Sequence, residues 1–285
     1  MTSLPDFVGV GPGRSGTTWL YQVLYQHSQV CTAQNVKETQ FFDVNYERGT
    51  DWYRQFFQHR EAGQVAGEIS NRYIFDPRVA DRIARVLPGA QIFIFAREPL
   101  DRLASVYIFK RRAGQRYTSI VDMLEREPEL MDEFRYGALV RPFVERFPPE
   151  QLFVLKYSGL NDDPDGSLQA VCDFLGVDPA RVPREVYGQR INAGRAPRSS
   201  ALARAARAGG DGLRRLGLYG LHHRLKYAGP VQRALYVGDD RIRAREVTPY
   251  LALARETLYA HIAEDLESYR EQISGCQSNA SDVSW

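Results

Sequence analysis

The chain contains 285 residues, of which 44% are hydrophobic and 25% charged, a composition typical of a globular protein of one or two domains. Its 37 basic and 35 acidic side chains leave a net charge of +2, which is too small to indicate a nucleic-acid partner. Three widely spaced cysteines give neither a disulfide framework nor a zinc pattern, and no apolar run reaches the roughly 20 residues of a membrane span. With no apolar leader after Met1, we expect a cytoplasmic protein without membrane contact.

Short apolar stretches alternate with amphipathic stretches through the first two thirds of the chain. The apolar stretches predict strands at residues 7–10, 30–32, 65–69, 91–96 and 152–155. The amphipathic stretches predict helices at residues 17–27, 77–86, 99–112, 120–127, 136–146 and 168–175. Strands separated by helices indicate βαβ units, so we predict an α/β fold in which a parallel sheet of about five strands is flanked by helices. In such a sheet the functional loops follow the carboxyl ends of the strands, along one edge.

The composition changes near residue 192. Residues 193–240 are rich in arginine, alanine and glycine, and residues 248–273 have the apolar spacing of one long helix. Because about 50 residues make a marginal core, we interpret 193–240 as a surface insertion rather than a separate domain. We predict a single domain over residues 1–285, with an α/β core at 5–177, an acceptor-side lid at 193–240 and a helical C-terminal cover at 248–273.

The turn after the first predicted strand carries the strongest functional signal. Residues 11–20 spell Gly-Pro-Gly-Arg-Ser-Gly-Thr-Thr-Trp-Leu and lead into a predicted helix. A glycine-rich turn of this kind directs backbone N–H groups and a helix N-terminus at one point, which makes a phosphate site. The turn lacks the lysine that follows the last glycine of a nucleoside-triphosphate P-loop, because Thr17 stands there and the nearest cation is Arg14. The loop therefore favours a shorter anion with two tetrahedral centres.

A second candidate anion site follows the fourth predicted strand. That strand ends before Arg97, Pro99 suits the first turn of a helix, and Ser105 lies about two turns further on. Arginine offers a charged fork and serine a hydroxyl donor, a combination that binds phosphate. Alternatively, the arginine caps sheet carbonyls and the serine packs against the helix backbone.

Together the two motifs resemble those of the sulfotransferases that use 3′-phosphoadenosine-5′-phosphosulfate. The first fingerprint of that family, R/K-x-G-T-T, is matched by Arg14-Ser15-Gly16-Thr17-Thr18. The second, R-x-P-x-x-R-x-x-S-x-Y, is matched by Arg97, Pro99, Arg102, Ser105 and Tyr107. The resemblance implies a fold of the P-loop nucleotide-binding type, in which the first loop holds the 5′-phosphosulfate and Arg97 and Ser105 hold the 3′-phosphate. Residues 153–160 match more weakly: Tyr157 takes the tyrosine position of the family's Tyr-Glu-Asp-Leu, next to the donor site, but Ser158-Gly159 replaces the acidic pair.

The segment after the second predicted strand supplies a candidate general base. Its sequence, Lys37-Glu38-Thr39-Gln40-Phe41-Phe42, resembles the Lys-Glu-x-x-Phe-Phe stretch of the branch that includes heparan sulfate enzymes, rather than the cytosolic phenol and steroid branch. The resemblance implies that Glu38 takes the proton from an acceptor hydroxyl. The alternative is a surface Lys–Glu pair beside two core phenylalanines. Arg14 is the candidate cation at the bridging oxygen of the leaving group, and Lys37 either contacts the donor or is solvated.

Several further positions carry open assignments. Glu68 is either a supporting hydrogen-bond partner or an alternative base, and Arg72 is a candidate replacement for a lysine that the heparan sulfate branch commonly has nearby. Trp19, assigned to the donor site, either stacks on adenine or packs in the core. Either Arg195 or Arg198 closes over the 3′-phosphate, or both belong to a flexible basic linker; we assign Arg198.

The resemblance therefore predicts transfer of a sulfuryl group from the phosphosulfate donor to a hydroxyl, with release of adenosine 3′,5′-bisphosphate and no metal requirement. We expect a bacterial enzyme of specialised metabolism with a small-molecule acceptor. The alternative acceptor is a carbohydrate. Two other classes stay open. A P-loop kinase or NTPase predicts ATP and magnesium dependence, and a non-catalytic module predicts nucleotide binding without turnover. The sequence does not determine the acceptor's identity or the oligomeric state.

Overall fold

The computed structural model describes residues 4–188 and 242–280, together with the backbone of residues 195–197 and 236–238. The strands are β1 (Phe7–Gly9), β2 (Val30–Thr32), β3 (Val65–Ile69), β4 (Gln91–Ala96), β5 (Leu152–Lys156), β6 (Arg195–Pro197), β7 (Tyr236–Gly238) and β8 (Gln277–Ser278). The α-helices within the described ranges are α1 (Thr17–Gln26), α2 (Gly49–Arg54), α3 (Arg78–Val86), α4 (Pro99–Arg112), α5 (Ile120–Arg126), α6 (Tyr136–Val144), α7 (Tyr157–Asp162), α8 (Pro164–Leu175), α9 (Arg184–Tyr187) and α10 (Leu251–Ile273). A 3₁₀ segment, Pro128–Phe134, precedes α6.

The chain divides into two compact units. Unit 1 contains Met1–Arg102, Glu129–Ile191 and Leu258–Trp285, and unit 2 contains Leu103–Pro128 and Asn192–Thr257. The helices α4 and α10 each have one end in each unit. The single domain over residues 1–285 stays a prediction, and the proposed lid at 193–240 lies almost wholly outside the described residues.

Unit 1 is built on a six-stranded parallel sheet with the order β2-β3-β1-β4-β5-β8. This confirms the predicted α/β fold with a parallel sheet, and the first five strands lie within one residue of their predicted ends. After β1 the chain runs to β2 and β3 on one side, and it then returns to β4 on the other side. The strand order thus reverses between β1 and β4, where open α/β sheets bind their ligands.

The core explains why these segments form strands and helices. Both faces of the central strands are buried, and Phe7, Phe93 and Phe153 pack ring against ring across β1, β4 and β5. On one face α1 buries Leu20 and Leu24 against this cluster. Such burial is worth about 1.5 to 3 kcal/mol for each large apolar side chain.

One helix begins earlier than its apolar spacing predicts. The helix α8 starts at Pro164 rather than at residue 168, because the Asp163 side chain caps it by accepting a hydrogen bond from the Gly166 amide (2.9 Å). It ends at Gly176, whose left-handed conformation (φ 69°) is the usual helix stop. Capping residues therefore set both ends of α8.

Unit 2 contains α5 and the antiparallel pair β6–β7. Within this unit the carboxylate of Glu246 accepts hydrogen bonds from Tyr107 Oη (2.6 Å) and Arg111 Nε (2.6 Å). The Arg111 guanidinium lowers the pKa of Glu246, so the pair is charged at neutral pH. Among the helices in the described part of the chain, none combines the length and the apolar character needed to cross a membrane.

Candidate active site

The loop between β1 and α1, residues 11–16, has an uncommon backbone conformation; we name it the glycine loop. The φ angle is positive at Gly11 (84°), Arg14 (69°) and Gly16 (99°). For Arg14, which carries a Cβ, this conformation costs roughly 1 to 3 kcal/mol, and such strain concentrates at functional sites. At Gly16 the positive φ favours glycine, and a Cβ there would lie 2.7 Å from Leu160 Cδ1, so the Leu160 side chain would have to shift. The loop is therefore built to hold one main-chain shape.

The donors of the glycine loop and of the first turn of α1 suit an anion. Ser15 is fully buried, and its Oγ has no hydrogen-bond partner among the described residues. A buried hydroxyl without a partner costs roughly 1 to 3 kcal/mol, which an anion seated in the loop would offset. The first turn of α1, which begins with Thr17 and Thr18, has no acidic residue, so the helix dipole favours a negative charge there. These donors fit the phosphosulfate group that the motif predicts.

Arg97 joins the second motif to the glycine loop. It follows β4, and its Nη1 donates a hydrogen bond of 3.0 Å to the carbonyl oxygen of Arg14. Its guanidinium carbon lies 4.1 Å from the ring centroid of Tyr157, the first residue of α7, which is a favourable cation–π distance. Arg14, Arg97 and Tyr157, which the sequence assigns to one donor site, therefore lie together in unit 1.

Lys37 and Glu38 lie beside the start of α1. The Lys37 ammonium is 3.4 Å from Thr17 Oγ1 and 3.4 Å from Glu38 Oε1. The exposed fractions of the Lys37 and Glu38 side chains are 22% and 20%, so both side chains reach solvent. A carboxylate that reaches solvent is available to a second substrate. Lys37 links this carboxylate to Thr17, the first residue of α1, which directly follows the glycine loop.

The segment that carries Glu38, residues 37–42, is anchored on a buried carboxylate; we name it the Glu38 segment. Glu68, in β3, accepts hydrogen bonds from the Thr39 amide (2.9 Å), Thr39 Oγ1 (2.7 Å), Tyr53 Oη (2.8 Å) and Tyr73 Oη (3.0 Å). Burial raises the pKa of Glu68 even though these four donors favour the ionised form. Since its oxygens are occupied and buried, Glu68 supports the segment, while Glu38 is the carboxylate that reaches solvent.

The aromatic end of the Glu38 segment packs into the interior. Phe41 and Phe42 are buried, and the Phe41 ring stacks on Tyr53 with centroids 4.2 Å apart. Left-handed residues stand at Asn35 (φ 66°), before the segment, and at Gln40 (φ 52°), inside it. These turns and buried rings fix the segment immediately beyond Glu38.

The remaining predicted site residues lie in other surroundings. Ser105 is buried on the part of α4 that belongs to unit 2. The Trp19 ring packs in the core, the second of its two alternatives, and its indole N–H donates a 3.0 Å hydrogen bond to the Tyr187 carbonyl; its assignment to the donor site stays a prediction. Arg198 lies outside the described residues, and of Arg195 only the backbone is described, in β6.

Two features of the site are not indicated by the motifs. Arg102 belongs to the second fingerprint, but nothing in the fingerprint shows that it is buried and donates a 3.1 Å hydrogen bond to the Gly13 carbonyl. Tyr53 belongs to no motif, and only the aromatic character of residues 52–57 signals a buried cluster there. Within the described ranges, no group of His, Cys, Asp and Glu side chains is arranged to hold a metal ion.

The family model for the sulfotransferase domain matches residues 4–192, about two thirds of the chain. This match covers both motifs, the Glu38 segment and the first five strands of the sheet. The chain therefore belongs to the sulfotransferase domain family, as the resemblance of its motifs predicts.

The relatives and the fold agree with this assignment. The human bifunctional heparan sulfate N-deacetylase/N-sulfotransferase 3 is 30% identical over 198 residues, which cover 62% of this chain and 23% of that protein. The bovine bifunctional heparan sulfate N-deacetylase/N-sulfotransferase 2 is 28% identical over 197 residues, with 62% and 22% covered. The match thus spans less than a quarter of the length of these relatives. A crystal structure of a sulfotransferase from Alicyclobacillus acidocaldarius shares the fold, with a TM-score of 0.63 at 22% identity over 95% of this chain and 96% of that one.

Proposed function

We propose that this sulfotransferase moves a sulfuryl group from 3′-phosphoadenosine-5′-phosphosulfate to a hydroxyl of a small-molecule acceptor and releases adenosine 3′,5′-bisphosphate. One observation carries the proposal, a continuous set of contacts in unit 1. Arg97 donates to the Arg14 carbonyl in the glycine loop, and Lys37 joins Thr17, just after that loop, to Glu38. This arrangement supports a single ligand with two charged ends and a carboxylate beside one of them.

In this proposal the donor is bound at both of its anionic ends. The backbone N–H groups at the start of α1 and the Ser15 hydroxyl hold the 5′-phosphosulfate, for which the dipole of α1 supplies further positive potential. The second motif assigns the 3′-phosphate to Arg97 and Ser105, and Tyr157 steadies the Arg97 guanidinium by cation–π contact. Arg198 is an additional candidate at the 3′-phosphate. No metal is needed, because arginines and main-chain donors supply the positive charge.

The chemical step is an in-line displacement at sulfur. The acceptor oxygen forms a bond to sulfur, the bond from sulfur to the 5′-phosphate oxygen breaks, and the electron pair of that bond leaves with the phosphate. Glu38 takes the proton of the acceptor hydroxyl, and Arg14 together with Lys37 stabilises the negative charge that develops on the bridging oxygen. Because the transition state of such a transfer is loose, positioning and charge account for most of the catalysis.

A ligand comparison tests the donor. Thermal unfolding is followed with adenosine 3′,5′-bisphosphate, with ATP and magnesium, and with AMP in parallel. All three are used at the same concentration, so the nucleotide with the lowest Kd gives the largest shift, and a concentration of 100 times the Kd stabilises the protein by about 2.7 kcal/mol. We expect the bisphosphate to be preferred. A preference for ATP with magnesium would indicate a kinase or NTPase instead.

A turnover screen tests the acceptor. Candidate small-molecule alcohols and carbohydrate acceptors are incubated with donor labelled at sulfur, and transfer of the label is measured. We expect transfer to a small-molecule hydroxyl. Transfer to carbohydrates only would replace that acceptor class by the one named for the heparan sulfate relatives, and bisphosphate binding with no transfer to any acceptor would indicate a binding module.

A further inference from the structure

Arg102 is a charged residue of the second motif that does not reach solvent. It lies in the first turn of α4, its exposed fraction is 1%, and it is among the largest fully buried side chains of the described residues. Burying a guanidinium costs free energy unless its N–H groups are hydrogen-bonded, so the hydrogen-bond partners of Arg102 indicate its role. The guanidinium of Arg102 donates its hydrogen bonds to groups of the protein itself.

The partners of Arg102 lie on two segments of unit 1. Its Nε donates to the Gly13 carbonyl oxygen (3.1 Å), its Nη1 to the Glu133 carbonyl oxygen (2.7 Å) and its Nη2 to Glu133 Oε2 (3.2 Å). The guanidinium carbon lies 4.4 Å from the ring centroid of Phe134. Glu133 and Phe134 thus hold the guanidinium, the ring centroids of Phe75 and Tyr136 each lie 6.0 Å from it, and its Nε contacts the main chain of the glycine loop.

This contact orients a peptide group of the loop. In a planar trans peptide the C=O and the following N–H point in opposite directions. Because Arg102 holds the Gly13 carbonyl, the N–H of Arg14 points away from Arg102. Arg97 holds the next carbonyl, that of Arg14, so the N–H of Ser15 points away from Arg97. Two arginines of one motif therefore set the direction of two successive N–H groups in the other.

The same two contacts enclose the strained residue of the loop. Arg14 has a φ of 69°, a conformation that a residue with a Cβ adopts at a cost. The peptide before Arg14 is held by Arg102 and the peptide after it by Arg97. A left-handed residue inside a turn is a feature of the main-chain nests that bind anions. The contacts of Arg102 and Arg97 therefore preserve the anion-binding conformation of the loop at Arg14.

We infer that Arg102 is a positioning residue for the glycine loop: it keeps the N–H groups of the loop oriented for an anion without touching the anion. The inference rests on the proposed function in one respect, the assignment of this loop to the 5′-phosphate end of the nucleotide. Arg97 and Arg102, which the fingerprint treats alike, thus differ in role. Arg97 combines loop support with the proposed 3′-phosphate contact, and Arg102 supports the loop only.

Isothermal titration of the full chain with three nucleotides tests the inference. The probes are adenosine 5′-phosphate, adenosine 3′-phosphate and the 3′,5′-bisphosphate, and the variant is Arg102→Lys. Lysine keeps the charge but lacks the fork that spans Gly13 and Glu133. We expect the affinity for adenosine 5′-phosphate to fall by about tenfold or more, because a charged hydrogen bond that preforms the loop is lost. The affinity for adenosine 3′-phosphate should change by less than about twofold. A general loss of structure would instead lower both affinities equally, and that result would overturn the inference.

A milder variant guards against misfolding. Glu133→Gln keeps Arg102 and the Glu133 carbonyl but weakens the ion pair, and the Glu133 side chain is 43% exposed, so the fold should tolerate the change. We expect a fall of about two- to threefold for adenosine 5′-phosphate and no change for adenosine 3′-phosphate. The matched control is Glu129→Gln, an exposed glutamate on the same 3₁₀ segment, which should change neither affinity.

The two proposals fail in different ways. If the unaltered chain does not bind the bisphosphate, the proposed function is wrong and the inference falls with it. If the unaltered chain binds the bisphosphate but Arg102→Lys and Glu133→Gln leave the affinity for adenosine 5′-phosphate unchanged, only the positioning role of Arg102 is wrong.

Discussion

The glycine loop and the Glu38 segment both reach the start of α1, but they are held by different groups. The glycine loop is held through its main chain, since Arg102 and Arg97 bind the carbonyls of Gly13 and Arg14. The Glu38 segment is held through both its side chains and its main chain, since Thr39 bonds to Glu68 through its hydroxyl and its amide. Arg82 also binds the Phe42 carbonyl, and two phenylalanines are buried. The glycine loop is thus held by cations at its carbonyls, whereas the residue next to Glu38 is anchored on a buried anion.

This difference follows from what each loop presents. An anion-binding loop presents N–H groups, and these can be aimed only by fixing the peptide units, hence through the opposite carbonyls. A segment that delivers one carboxylate has to leave that side chain at the surface while fixing its neighbours. The Glu38 segment does so, because the anchor is the next residue, Thr39, and Glu38 itself contacts Lys37 at 3.4 Å. Changes to the two loops should therefore affect different measurements.

The largest expected effect is on turnover, from Glu38→Gln. Loss of the general base should lower turnover by about 100-fold or more, and affinity for the bisphosphate should stay the same, because the amide still fits beside Lys37. Initial rates with labelled donor and calorimetry measure the two quantities. Glu47→Gln, which changes an exposed glutamate on a neighbouring turn, is the matched control. Unchanged turnover would leave Glu38 as the ion-pair partner of Lys37 and nothing more.

The next effect is on donor affinity, from Arg97→Ala. Affinity for the bisphosphate should fall by about 10- to 100-fold, the equivalent of one or two charged hydrogen bonds. Affinity for adenosine 5′-phosphosulfate should fall less, because that ligand has no 3′-phosphate and senses only the lost contact with the Arg14 carbonyl. Arg85→Ala removes an exposed arginine of α3 and serves as the control. If the affinities for both ligands fell equally, Arg97 would only support the glycine loop and would not contact the 3′-phosphate.

A smaller effect is expected on stability, from Thr39→Val. This change keeps the shape of the side chain but removes the donor to Glu68 and the acceptor of the Phe41 amide. The free energy of unfolding should fall by roughly 1 to 3 kcal/mol, and turnover should fall with it while bisphosphate affinity is kept. Urea denaturation gives the stability. The control, Thr257→Val, removes an exposed threonine hydroxyl that bonds to its own helix. If donor affinity fell as much as turnover, the two loops would not be supported independently.

The smallest expected effect is a dependence of stability on pH that belongs to the Glu38 segment. Because burial raises the pKa of Glu68, the folded protein holds the proton of Glu68 more tightly than the unfolded chain does. Its contribution to stability is therefore complete below the unfolded pKa of about 4.5 and declines as pH rises through the folded value. The difference in unfolding free energy between the unaltered chain and Glu68→Gln should shrink as pH rises from 4.5. A difference that grows with pH would show that the four hydrogen bonds outweigh burial. In the glycine loop the groups that Arg102 and Arg97 bind are main-chain carbonyls, which do not titrate.

The sequence is most informative where local chemistry and function coincide. The strand ends are predictable because each strand is a short apolar run bounded by polar or turn residues, and β4 (Gln91–Ala96) appears with its predicted bounds. The strand β8, Gln277–Ser278, is not predictable, because two polar residues carry no apolar pattern. It is held in the sheet partly by Asn279, whose side chain bonds to both the amide and the carbonyl of Lys156 (2.7 and 3.1 Å), and that contact joins residues far apart in sequence.

By itself the sequence determined the parallel α/β fold, the two anion motifs and the candidate base Glu38, because each depends on a pattern of residues close together along the chain. Only the tertiary structure decided how these parts are held. The separate roles of Arg97 and Arg102, the support of Thr39 by Glu68 and the burial of the Trp19 ring all depend on partners 29 to 168 residues away. A motif records which side chains are present, whereas burial and hydrogen bonding between distant segments determine whether a given arginine faces the ligand or the loop that holds it.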